Sequence, residues 1–216
     1  MADLIIKPAT SGDSIKFQGS DSSAQFTIAG AAGSLDSGMT LSAAAVTGTL
    51  GNSVFPSGHI VNVVTVQTRE INTSFTAPTS GNGVIITPLT LPTFTPTAGN
   101  KIYLEWQLWG EVDHDTVWIV TRNDVILANS SNATNDKWAG IGATLYDVNW
   151  STTPSVHVTR IFDEDSLGVA STYKLLCRSS EGDATHVVYL NRTVASHSQD
   201  EGENTLSTGV AMEIQV

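Results

Sequence analysis

Residues 101–110 constrain the fold more than any other stretch of this chain, because two sets of side chains alternate along them. One set holds Ile102, Leu104, Trp106 and Leu108, and the other holds Tyr103, Glu105, Gln107 and Trp109. Successive side chains on a β-strand point to opposite faces, so the pattern predicts a strand with one face in a core. The Gly99-Asn100 pair supplies a turn before it.

Short candidate strands recur from residue 60 to the end of the chain. Their predicted bounds are 60–68, 71–75, 83–87, 102–109, 116–122, 125–128, 140–147, 156–162, 173–178, 187–191 and 209–215. Turn residues separate them, and no long stretch carries apolar residues at a helical period. This spacing predicts an all-β domain built as a sandwich or barrel. The last strand places Val210, Met212 and Ile214 on one face.

Residues 1–54 differ in composition from the rest. Their large apolar side chains are too sparse to form a core from one copy of the chain, although short β-forming segments recur. Three copies wrapped around one axis would share such a core, and small Gly and Ala residues allow their close approach. We therefore predict an extended, trimerising β stem, with a disordered or extended linker as the alternative. A helix at residues 41–50 is a lesser alternative, since the alanines at 43–45 favour it and Thr47 and Gly48 do not. The Phe55-Pro56-Ser57-Gly58 turn ends it, which gives an N-terminal segment 1–54 and a C-terminal β domain 55–216.

The net charge of −11 disfavours binding to nucleic acid or to an anionic membrane surface, since both would repel the chain. The first residues lack the basic and apolar regions of a signal peptide, and no apolar run reaches the roughly 20 residues of a membrane span. Synthesis in the cytoplasm is expected. Cys177 stands in phase with Tyr173 and Leu175, which predicts a buried thiol rather than a nucleophile.

Acidic residues are densest directly after the central strand, in Glu111-Val112-Asp113-His114-Asp115. If the strand continues, His114 points away from Asp113 and Asp115, so the local sequence does not build a metal site. The chain has no nucleophile-elbow motif, phosphate-binding loop or dinucleotide fingerprint. We therefore predict a protein that is not an enzyme and that has no cofactor and no metal. His157 and His186 are expected to face solvent or a neighbouring subunit.

The five tryptophans offer the chain's best candidates for recognition. Trp106 is in phase with the apolar face and is predicted to be core, whereas Trp109 is predicted to contact another subunit. Trp118, Trp138 and Trp150 are expected at partly exposed positions, where core, interface and sugar-stacking roles all stay open. A polar loop at residues 129–136 precedes Trp138, and residues 196–205 form a second loop. The predicted distal ligand surface consists of Asn132, Asn135, Asp136 and Trp138.

Three passages resemble tail-fibre and virion structural proteins of tailed bacteriophages, especially phages of aquatic and cyanobacterial hosts. They are residues 1–10 (MADLIIKPAT), 47–51 (TGTLG) and 55–61 (FPSGHIV). Residues 100–104, 121–125 and 210–214 match more loosely. The resemblance implies a homotrimeric virion protein with a slender N-terminal part fixed to the particle and a jelly-roll-like head. It transfers no receptor-binding residues.

The resulting hypothesis is a phage fibre, located in the virion, that displays its β-sandwich head for adhesion to the host surface. Its expected partners are two further copies of itself, other virion proteins and a host-surface glycan. One alternative is a neck, capsid-decoration or connector protein without a host ligand. A weaker alternative is a small glycan-hydrolysing tail enzyme, which needs two carboxyl groups roughly 5–10 Å apart.

Overall fold

The computed structural model describes residues 56–112, 114–127, 140–144, 154–164, 168–181, 184–193 and 203–216. All of them belong to one compact unit, Leu50–Val216. The predicted stem, residues 1–54, lies outside the described residues. The boundary after residue 54 and the trimeric stem therefore stay predictions, whereas the all-β class is confirmed.

The described residues contain eleven strands and one turn of 3-10 helix at Thr87–Leu89. The strands are β1 Ile60–Thr68, β2 Ser74–Ala77, β3 Val84–Ile85, β4 Lys101–Val112, β5 Thr116–Arg122, β6 Val125–Ile126, β7 Gly142–Ala143, β8 Ser155–Asp163, β9 Tyr173–Ser179, β10 His186–Leu190 and β11 Ser207–Ile214. β1 and β5 have the predicted bounds. β2 begins later than predicted, because side chains of Thr68 and Glu70 accept hydrogen bonds from nearby backbone N–H groups and form a turn.

Two antiparallel sheets contain all eleven strands. The six-stranded sheet has the order β1-β11-β4-β10-β2, and β8 also pairs with β4. Gly110 of β4 is paired with β8 and with β10, and residues before it are paired with β8 and with β11. Since a strand has two edges, β11 and β10 follow one another along one edge of β4, and β8 occupies the other edge.

The five-stranded sheet has the order β3-β9-β5-β6, and β7 also pairs with β5. Across the two sheets, strands from the start of the domain pair with strands from its end, and each pair encloses the next one in the sequence. β1 pairs with β11, β3 with β9, β4 with β8, and β5 with β6 and β7. Most contacts of the fold therefore join residues that are far apart in the chain.

The predicted apolar face of β4 forms the centre of the core. Ile102, Leu104, Trp106 and Leu108 are each at most 1% exposed, and they share one hydrophobic cluster with residues of the five-stranded sheet. The Trp106 indole N–H donates to the carbonyl of Leu89 at 2.9 Å, so its polar atom is satisfied. A Cβ at Gly209, its partner on β11, would lie 2.7 Å from the indole. Glycine at that position lets the ring lie across the strand.

A buried polar network joins the two sheets. Asp163, on β8, accepts a hydrogen bond from Arg122 of β5 at 2.7 Å and another from the Tyr173 hydroxyl of β9 at 2.8 Å. Burial and the bond to Asp163 both raise the pKa of Tyr173 above its usual value. The hydroxyl therefore stays a donor, and each polar group in this network has a partner.

Asn191 lies where β4 changes its partner from β11 to β10. Its side-chain amide donates to the carbonyls of Thr68 and Glu70, both at 3.0 Å, and its side-chain oxygen accepts from Ser207 Oγ at 2.6 Å. The backbone N–H of Asn191 donates to the carbonyl of Trp109. Asn191 is fully buried and has φ +58°, a conformation that asparagine tolerates. One residue thus links β4, β10, β11 and the segment after β1.

Replacing Asn191 with Asp is expected to lower the free energy of unfolding by about 3 kcal/mol, because an acceptor would then face two buried carbonyl oxygens. Equilibrium denaturation measures the loss. Asn123→Asp is the matched control, since Asn123 also has positive φ but is exposed, and its substitution should cost less than about 1 kcal/mol. Equal losses in the two variants would contradict a central role for Asn191.

Cys177, on β9, is fully buried, as the sequence predicts. Burial raises the pKa of its thiol from 9.0 to about 12. The thiol is therefore protonated at neutral pH and is not an activated nucleophile.

The raised pKa of Cys177 predicts a loss of stability in alkali. Below pH 9 the thiol is protonated in both states, whereas between pH 9 and about 12 it ionises mainly in the unfolded chain. The free energy of unfolding should then fall by about 1.4 kcal/mol per pH unit from this group. Denaturation of Cys177→Ala and of the parent is compared from pH 8 to 10.5. The difference between their free energies of unfolding isolates the contribution of Cys177, since lysines and tyrosines titrate equally in both proteins. If the free energies of unfolding of the two proteins fall in parallel as the pH rises, this prediction is wrong.

Candidate functional site

The predicted distal ligand surface, Asn132, Asn135, Asp136 and Trp138, lies outside the described residues. So does Trp150. That surface stays a prediction. Trp109, the predicted interface residue, is described, and it lies on the face of β4 that is opposite to Trp106, as the alternation predicts. The backbone N–H of Trp109 donates to Ser207 Oγ at 2.8 Å, and the same hydroxyl donates to the side chain of Asn191. The Asn191 network therefore holds the backbone of Trp109.

The face of the six-stranded sheet that points away from the core carries a continuous apolar row. Phe162 of β8, Tyr103 of β4, Met212 of β11 and Val63 of β1 are direct neighbours in successive strand registers. The rings of Phe162 and Tyr103 have centroids 5.3 Å apart. Phe162 is 42% exposed and Val63 is 52% exposed. We call this surface the outer face.

Further apolar side chains extend the outer face on β8 and β11. Val156 lies opposite Trp109 in the register, and Val156 and Val158 are 43% and 47% exposed. On β11 the larger side chains Val210, Met212 and Ile214 stand on the outer face, whereas the buried positions hold Gly209, Ala211 and Glu213. This arrangement reverses the usual order of a strand that covers a core, and it enriches the outside of the sheet in apolar surface.

The charged groups within the outer face neutralise one another. Glu105 and Arg160 are cross-strand partners with Oε2 and Nε 2.7 Å apart, and the Tyr103 hydroxyl donates to the same carboxylate. Burial and this bond both raise the pKa of Tyr103. The local charge of the outer face is therefore close to zero, although the whole chain is strongly acidic.

A pocket of about 440 Å³ is lined mainly by β8 of the six-stranded sheet and β7 of the five-stranded sheet. Its lining consists of Glu111, Val112, Trp118, Gly142, Ala143, Thr144, Ser155, Val156, His157, Val158 and Thr159. The Trp118 and His157 rings have centroids 5.8 Å apart, and burial lowers the pKa of His157. Trp118 Nε1, His157 Nε2 and Thr159 Oγ1 lack a hydrogen-bond partner among the described residues. Its size and polar atoms suit water or a small polar ligand.

Two predictions about this region were wrong. Trp118 is only 1% exposed, because its side chain belongs to the hydrophobic cluster that residues of both sheets form. His157 does not face solvent, because alternation along β8 turns it inward with Thr159, while Val156 and Val158 face outward. β8 is a partly polar strand at the edge of its sheet, and the face that its sequence suggested for the interior is the one that faces outward.

His114 has partners that its sequence neighbours do not supply. β4 ends at Val112, and His114 Nε2 lies 3.1 Å from Oε1 of Glu181, beyond β9. Oε2 of Glu181 lies 3.0 Å from Nε2 of His186, the first residue of β10. The prediction that His186 faces solvent was wrong, because its position in β10 buries it to 7% exposure. The two imidazole rings are stacked with centroids 4.3 Å apart. No motif spacing reveals this cluster, because its residues come from two turns about 70 positions apart in the chain.

No protein-family model matches the chain, and a search of curated proteins finds no match. Among the described residues, no helix has the length and apolar character needed to cross a membrane.

Proposed function

We propose that the chain is a structural protein of a bacteriophage virion. In this proposal three copies form a fibre that is attached to the particle through residues 1–54 and that displays the C-terminal domain for adhesion to the host surface. The resemblance of residues 1–10, 47–51 and 55–61 to phage proteins supplies the class of protein. The apolar character of the outer face is the single observation that supports association between copies of the chain.

The nested strand pairing supports a jelly-roll-like sandwich as the head. A jelly roll is an eight-strand antiparallel hairpin folded into two sheets, in which the first strand pairs with the last and the inner pairs follow in turn. The pairs β1·β11, β3·β9, β4·β8 and β5·β6 follow that order, with β2 and β10 as an added pair at one end. Jelly rolls recur in viral capsid and lectin domains, which agrees with this proposal.

A second copy of this chain is the occupant that best fits the outer face. Aromatic residues and methionine are enriched in subunit interfaces, and Phe162, Tyr103, Trp109 and Met212 provide both. Two chains of net charge −11 repel each other, so they should meet where the local charge is near zero. The Glu105–Arg160 pair provides that neutrality in the middle of the apolar row.

Trimerisation would serve adhesion by presenting three identical ligand surfaces together. Repeated host glycans would bind several heads at once, so the assembly gains avidity that a single weak site lacks. The loop with Trp138 is the proposed ligand surface, and its indole would stack on a sugar ring.

The assembly is tested by measuring mass in solution. Sedimentation velocity of the full chain should give three times the 22.8 kDa chain mass. Val158→Asp, which places a charge on the outer face, should raise the dissociation constant at least about tenfold. The matched control is Val125→Asp, since Val125 is 70% exposed in β6 of the other sheet and should tolerate the charge. A monomer would contradict the fibre, and equal effects would contradict the outer face as the interface.

Adhesion is tested by binding of the purified assembly to an array of bacterial surface polysaccharides. The parent is expected to bind at least one class of glycan, and Trp138→Ala is expected to lose that binding while keeping the same mass. Val125→Asp, which lies in β6 outside the outer face, serves as the control for a surface substitution elsewhere on the head. An assembly that binds no glycan would instead favour a connector or decoration protein, and release of reducing sugar would favour the hydrolase.

A further inference from the structure

We propose that His114, Glu181 and His186 form a binding site for a divalent transition-metal ion, with Zn²⁺ as the ion that fits best. The site stands on the geometry of these three side chains. It does not depend on whether the chain is a virion protein.

The three side chains already converge at distances close to those of a metal site. Their ligand atoms all lie within 4.8 Å of one another, and each imidazole Nε2 is 3.0–3.1 Å from a carboxylate oxygen of Glu181. Bonds of about 2.0–2.2 Å to a tetrahedral zinc ion separate neighbouring ligand atoms by about 3.3–3.5 Å. The distances between the ligand atoms therefore fit one ion, and only the orientation of the rings has to change.

Binding requires one imidazole ring to turn. The planes of the His114 and His186 rings differ by only 14°, and a metal ion lies in the plane of each imidazole that binds it. Two nearly parallel planes do not meet at one ion. The torsion about the Cβ–Cγ bond of histidine has a broad energy profile, so the turn is accessible at low cost. Coordination would therefore replace this stack with two rings whose planes meet at the ion.

The fold holds the ligands in place through elements that do not bind the ion. Ser179 is fully buried at the end of β9, and its hydroxyl accepts from the N–H of Glu181 and donates to the carbonyl of Ala184 at 2.7 Å. The Ser180 N–H donates to the carbonyl of Asp115, which ties the turn with Glu181 to the turn with His114. His186 is fixed by its strand register opposite Ala77. Preorganisation of this kind lowers the entropic cost of binding.

The donor set determines the class of ion. Two imidazole nitrogens and one carboxylate suit Zn²⁺ and its neighbours, whereas Mg²⁺ and Ca²⁺ prefer sites composed of oxygen ligands. Three protein ligands leave a fourth tetrahedral position for water or another group. His114 and Glu181 are 22% and 35% exposed, so an ion can reach them from solvent. The bound ion would join the β4–β5 turn to the β9–β10 turn and stabilise this end of the two sheets.

Isothermal titration of the tag-free, chelator-treated full chain with ZnCl₂ tests the site directly. We expect one Zn²⁺ per chain, no saturable binding of Mg²⁺, and a higher melting temperature in the presence of Zn²⁺. His114→Gln and Glu181→Gln should each weaken Zn²⁺ binding by more than about tenfold, since even residues behind metal ligands contribute that much. Co²⁺ should give the visible absorption bands of a tetrahedral nitrogen and oxygen site.

His59→Gln is the matched control, because His59 lies before β1 and is not part of the cluster. It should bind Zn²⁺ like the parent. Melting temperatures without metal show whether each variant is folded, and the rise on adding Zn²⁺ is compared within each variant. The proposal is overturned if the parent shows no saturable binding at one ion per chain, or if either cluster variant keeps the affinity of the parent.

Discussion

The buried amide of Asn191 satisfies the hydrogen bonds at the point in the six-stranded sheet where β4 changes its partner from β11 to β10. β4 needs two successive partners on one edge, and a change of partner leaves backbone groups unpaired unless a side chain supplies the missing bonds. The Asn191 and Ser207 side chains supply them at distances of 2.6–3.0 Å. Because the register of β4 decides which of its side chains face the core, this junction also fixes Trp106 inward and Trp109 outward.

The sequence predicted the strands well because their signal is local. The alternation in β4 and the short β-branched runs of β1 and β5 are complete within a few residues, and turn residues delimit them. The predicted strand boundaries were wrong where a side chain accepts a hydrogen bond from the backbone in place of a neighbouring strand, as Glu70 does before β2. The strand pairing could not be predicted, because pairs such as β1·β11 join residues that are nearly 150 positions apart.

The candidate sites were less predictable than the strands for two physical reasons. The outer face depends on which side of each strand is buried, and β11 buries its smaller residues because the Trp106 indole already occupies the space opposite Gly209. The histidine cluster depends on two turns that meet only after the sheets form. The immediate neighbours of His114 predicted no metal ligands around it, whereas Glu181 and His186 come from the distant connection between β9 and β10.

β4 also keeps the two proposed sites independent. Tyr103 belongs to the apolar row near the start of the strand, and His114 follows its end. Nine residues of extended chain between Tyr103 and Val112 span about 30 Å, which exceeds the range over which substitutions usually couple. An ion at the histidine cluster would therefore stabilise one end of the sheets without changing the row from Phe162 to Val63, whereas Trp109 lies only three residues before the end of β4. Assembly can then be measured separately from metal binding through Val158→Asp, since Val158 pairs with Gln107, five residues before the end of β4.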